Sequence, residues 1–123
     1  MVKDYFQDLS KYPNSQSIEN ALNLATILYA ATKLDLINLS EELIVNWFDQ
    51  IEAIVQQSLD KSTEPFEKCS LLEVMGFLRM HQRQYGFRQL KISEVMEPFE
   101  KILELLNESP QYPVSQLEIR LIP

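Results

Sequence analysis

The sequence predicts an all-α fold, a bundle of about five helices, and three observations carry that expectation. Apolar residues recur at three- and four-residue steps along most of the 123 residues, as they do in helices that bury one face. Only two glycines are present, too few for the tight turns of a β-rich domain. Breaks in the apolar pattern coincide with proline, glycine and asparagine or serine clusters that stop and start helices. A chain of this length fits one domain, 1–123, large enough to bury a core without disulfide staples. Residues 109–123 are set apart as an extended tail holding a marginal β element.

Val2, Tyr5, Phe6, Leu9 and Tyr12 line one side of a short first helix, opposed by Lys3, Asp4, Asp8 and Lys11 and ended by Pro13 and Asn14. About three turns cannot stand alone in water, so this helix must dock through Tyr5 and Phe6. Ser15 or Ser17 caps a second helix reaching Lys33, in which Ala21, Leu22, Leu24, Ala25, Ile27, Leu28 and Tyr29 leave only a narrow polar strip. Such breadth marks the central helix of the bundle, although its alanines are also what a helical dimer interface uses. Asn38 and Glu41 have capping-box spacing and open a third helix. That helix is the clearest amphipath, with Leu43, Ile44, Trp47, Phe48, Ile51, Ile54, Val55 and Leu59 on one face.

Thr63 or Ser62 caps the fourth helix, whose first turn holds Glu64, Pro65 and Glu67. It begins near Glu64 and stops at Tyr85, where Gly86 supplies a left-handed C-terminal residue. Leu71, Val74, Met75, Leu78, His81 and Tyr85 form its stripe, and Leu72, Gly76, Phe77 and Met80 widen it until the helix reads as mostly buried. Gly76 marks a close approach of another element, since an interior glycine otherwise costs about 1 kcal/mol. The segment Phe87 to Ile92 alternates like a strand but is too short to decide. Ser93 then caps a fifth helix to Asn107, whose Val95, Met96, Phe99, Ile102, Leu103 and Leu106 keep one stripe across Pro98, with a kink or an irregular first turn there.

Pro110 and Pro113 end that helix, and in the tail Leu117, Ile119 and Leu121 alternate with Gln116, Glu118 and Arg120 as one β-strand. A lone strand leaves its backbone unpaired. Its partner is the Phe87 to Ile92 segment, the same strand in a second copy, or another protein. The pentapeptide Glu-Pro-Phe-Glu-Lys occurs at Glu64 to Lys68 and again at Glu97 to Lys101. The flanks of the two copies diverge, and acids with proline suit any helix start, so a 33-residue repeat is the minor reading and gives no warrant for a solenoid.

Chemistry is sparse. Cys69 and His81 are the sole cysteine and histidine, and twelve residues along one helix set them about 18 Å apart, which excludes a thiol-imidazole dyad within the chain. No HExxH, CxxC or ExxH spacing points to a metal. Two glycines exclude Gly-rich phosphate loops, so no cofactor is implied. The acids Glu42, Asp49 and Glu52, and the series Glu97, Glu100, Glu104 and Glu108, read as solvated helix faces. A lone cysteine and no signal-like apolar start place the chain in the cytosol. The longest apolar run falls short of the ~20 residues that span a membrane.

One interval stands out. No acid occurs between Val74 and Ser93, while Arg79, Arg83, Arg88 and Lys91 stand there with His81, Tyr85 and Phe87 among them. Arginines with aromatics either anchor a protein interface or grip phosphate and stack bases; the plainer use is to cap the helix end and pair with neighbouring acids. A net charge of −7 opposes nucleic acid in general. The sequence therefore predicts a non-enzymatic protein-interaction module, an adaptor, assembly factor or regulator. Its contact surfaces are this basic-aromatic helix end and the tail strand with Leu117, Ile119 and Leu121. Its partner is another protein or a second copy of itself, and the alternative is a small subunit of a nucleic-acid-handling complex touching phosphate through the same patch.

Overall fold

A computed structural model describes residues 8, 9, 11 and 13–108. These residues hold four helices and no strand: α1, Ser15–Lys33; α2, Glu41–Lys61; α3, Pro65–Gln84; and α4, Ile92–Glu108. The expected N-terminal helix and tail strand lie almost wholly outside the described residues. Asp8 and Leu9 are helical, and Leu9 is buried in the core. Phe87 to Lys91 form bends and irregular backbone rather than a strand, and Ile92 already belongs to α4, because six residues of alternation cannot outweigh a helix end and a helix start in sequence.

Each helix start differs in detail from the sequence expectation. For α1 the cap is Asn14, whose side chain accepts from the Ser17 amide at 2.8 Å while the Ser17 hydroxyl accepts from the Asn14 amide at 3.0 Å, a reciprocal box one residue earlier than expected. Ser15, freed from capping, donates through its amide and hydroxyl to the Glu67 carboxylate at 2.8 and 3.2 Å, tying the start of α1 to the first turn of α3. Ser40, rather than Asn38, caps α2 through the Leu43 amide at 3.1 Å. Glu64 caps α3, accepting from Phe66 and Glu67 at 2.9 and 2.7 Å. Pro65 dictates that choice, since the residue before a proline is held extended, as a cap must be. Lys91 rather than Ser93 opens α4: its carbonyl accepts from Glu94 and Val95, and its amide donates to the Glu94 carboxylate at 3.2 Å.

Two helix ends close in the same way. After α3, Gly86 has φ 77° and the Phe87 amide reaches back to the Gln82 carbonyl at 2.8 Å. After α1, Asp35 has φ 57° and the Leu36 amide reaches the Ala31 carbonyl at 2.9 Å. Both are six-to-one closures through a left-handed residue.

α1, α2 and α3 share one core, in which Ile18, Leu22, Ile44, Phe48, Ile51, Leu71 and Leu78 are buried. Ser15 beside Glu67 and Tyr29 stacked on Tyr85 at 4.3 Å make α1 and α3 parallel, with α2 running between them in the opposite direction. α4 packs chiefly on α3 through a second, smaller cluster of Cys69, Leu72 and Ile102, with Leu59, Phe99, Leu105 and Leu106 at its edge. Gly76 fits the expected close approach: a β-carbon there would overlap the Phe99 ring.

Candidate partner-binding surface

The acid-free interval spans the end of α3, the turn and the start of α4, and the structure shows how its cations are used. Pro98, fully buried inside α4, has no amide for the carbonyl four residues earlier. That carbonyl belongs to Glu94, and Arg79 supplies the missing donor, its guanidinium lying 2.7 Å away. One turn further on, Arg83 donates through Nε to the Leu90 carbonyl at 3.0 Å. Arg88 pairs with the Glu52 carboxylate of α2. The Lys91 ammonium has no ion pair among the described residues, and Lys91 is exposed. Three of the four cations therefore hold intramolecular bonds, Arg79 to α4 itself and Arg83 and Arg88 fixing the turn that leads into it.

The interleaved aromatics are likewise engaged inside the molecule. Tyr85 stacks on Tyr29, lies parallel to His81 at 5.5 Å and meets Phe87 at 5.7 Å. Phe87 in turn touches Tyr29 and Phe48, both at 5.2 Å. Burial lowers the His81 pKa below its ordinary value, and its Nδ1 is buried without a hydrogen-bond partner, so the neutral ring is favoured. Burial also raises the Tyr85 pKa, with the neighbouring Tyr29 adding to the effect. A neutral histidine and rings packed on one another offer little to phosphate or to unstacked bases. Leu117, Ile119 and Leu121 lie outside the described residues.

What the sequence reading missed sits beside this turn. Phe77 and Met80 of α3, read as buried, are 40% and 45% exposed, and Ile92, Met96 and Leu103 of α4 are 65%, 44% and 53% exposed. Phe77 meets Phe99 edge-on at 5.8 Å, which joins the two helices into one apolar face. Met80, Ile92 and Val95 with Arg83 and Gln84 shape a depression of about 350 Å³ at its basic end. The signal was present in α4. Residues 92, 96, 99 and 103 form one row and 95, 98, 102 and 106 another, too wide an arc for a single neighbouring helix to cover.

Comparison with protein-family models, with curated proteins and with solved structures gave no match. Among the described residues no cluster of three or more His, Cys, Asp or Glu is placed to hold a metal ion, and no helix is long and apolar enough to cross a membrane. On the far side of α4 a cleft of about 350 Å³ faces α2, lined by Lys68, Arg79 and Lys101 together with Asp60, Glu97 and Glu104. Its mixed charge favours no single class of ligand.

Proposed function

We propose that this chain is a non-enzymatic protein-interaction module, and that its contact surface is the α3/α4 apolar face rimmed by Arg83 and Lys91. The observation that carries the reading is that face itself. Five large apolar side chains about half exposed, contiguous across two helices, exceed the scattered apolar residues of an ordinary surface and mark a place where something docks. Two of them are methionines, whose flexible thioethers adapt to a partner's shape, and the exposed Lys91 places a free positive charge at the rim. Phosphate binding is the weaker reading, because Arg79, Arg83 and Arg88 each hold an internal bond and the net charge is −7.

A second contact surface at Leu117, Ile119 and Leu121, and a fifth helix at the N-terminus, rest on the sequence pattern alone. A cytosolic setting is part of the same proposal, supported by a lone, buried Cys69.

Met96→Glu is the direct test. Its side chain is exposed, so the helix content should be retained while capture of the native partner falls at least tenfold. Undiminished capture by a folded Met96→Glu variant would remove this face from the reading.

A further inference from the structure

Resting on that reading, the geometry points to a partner: a second copy of this chain, bound with α4 antiparallel to α4 across a two-fold axis. Ile92, Met96 and Leu103 are the exposed members of a row about 16 Å long on α4, in which Phe99 turns inward against Gly76. A two-fold axis just past Met96 sets Ile92 against Leu103 of the second copy and brings the two Met96 side chains together beside the axis. The row is self-complementary, as an isologous contact requires.

Charge selects this arrangement. At the Ile92 end stand Arg83 and Lys91; toward the Leu103 end stands Glu100, exposed and in no ion pair among the described residues. An antiparallel pairing lays the basic end of each copy on the acidic end of the other. A two-fold axis along the helices would instead set basic on basic and acidic on acidic. Such rim charges fix orientation more than affinity. The apolar side chains supply the rest: five of them, near half exposed, offer on the order of 500 Å² per copy. With a charged rim this approaches the roughly 800 Å² per partner of a standard stable interface.

The experiment uses the full 123-residue chain. Sedimentation equilibrium from roughly 1 to 100 µM should show the mass rising from 14.4 kDa toward twice that value. Met96→Glu should hold it at the lower mass with helical circular dichroism retained. Lys91→Glu and Glu100→Lys should each raise the dissociation constant several-fold, and the two together should restore it. A single mass of 14.4 kDa throughout, or no restoration by the double reversal, overturns the pairing.

The two readings fail separately. A monomer that captures another protein in a Met96-dependent way sinks the homodimer and leaves the interaction surface standing, while a monomer without such capture sinks both. A monomer whose Met80 and Met96 resist peroxide until residues 109–123 are removed assigns the face to the chain's own tail, and overturns the second copy as occupant.

Discussion

The α1–α2–α3 bundle and the α3–α4 pair are joined by different physics. In the bundle, three helices meet along buried rows of Ile, Leu and Phe, and Ile18, Ile44, Phe48, Ile51 and Leu78 have no exposed surface. α4 is attached by a smaller cluster around Cys69, Leu72 and Ile102, by the Gly76 recess that receives Phe99, and by two arginines bonded to backbone carbonyls. Val95, Pro98, Phe99 and Ile102 of α4 do this work, and Ile92, Met96 and Leu103 are left open. Attachment through shape and backbone bonds lets a helix keep several apolar side chains available for something else.

The widest gap between the regions should appear on cutting into each. Phe48→Ala removes a fully buried ring from the bundle core and the edge contacts to Tyr85 and Phe87. Urea unfolding should show a loss of about 3–5 kcal/mol. Met96→Glu, on the open face, should change the monomer's unfolding by less than about 0.5 kcal/mol.

Next in size is Arg79. Arg79→Met keeps the aliphatic stem and strands the Glu94 carbonyl, at an expected cost of about 1–3 kcal/mol. If the bond compensates for Pro98, the two sites must couple. In a Pro98→Ala background, position 98 regains an amide that can reach Glu94, and the cost of Arg79→Met should shrink by about 1 kcal/mol in a double-mutant cycle. Additive effects would show that the arginine serves some other purpose.

These residues also show what was legible in the sequence. Helix positions followed from periodicity, the Gly76 recess and Gly86 closure from the special geometry of glycine, and the Cys69–His81 separation from an uninterrupted α3. The caps were displaced by one or two residues, because serine, asparagine and acid occur side by side and the core-facing register decides among them. The basic interval was visible as a cluster, but its use was not: that Arg79 answers a carbonyl orphaned by Pro98, nineteen positions later, depends on α4 folding back along α3. The open face was hidden because periodicity reports that a residue is apolar, not whether a neighbour covers it.

A smaller effect separates the two regions by pH. His81 lies where the aromatic cluster joins the end of α3 to α1 and α2, and its pKa is lowered by burial. As pH falls through the ordinary histidine range near 6.5, the unfolded chain takes up this proton before the folded one. The stabilising effect of the neutral ring is therefore present above that range and is lost as pH drops through the lowered value. His81→Phe keeps a ring against Tyr85 and cannot titrate. The difference in unfolding free energy between wild type and His81→Phe should shift against the wild type between pH 7 and 5, and a constant difference would contradict the assignment.

The finest comparison is between the two left-handed turns. Gly86 and Asp35 occupy equivalent places after α3 and α1, but only glycine adopts that backbone without steric cost. A β-carbon at Gly86 would meet nothing within 4 Å, so Gly86→Ala measures the conformational cost alone, about 1 kcal/mol. Asp35 bears that cost already, and its carboxylate also sits at the negative end of the α1 dipole. Asp35→Asn removes the charge and keeps the side chain that best tolerates the left-handed region; Asp35→Gly removes both penalties. Melting temperatures should rank Asp35→Gly above Asp35→Asn above wild type, with a total gain of roughly 0.5–1 kcal/mol, or ~2–5 °C for a domain of this size. The reverse order would mean that the Asp35 side chain contributes to the turn more than its backbone strain takes away.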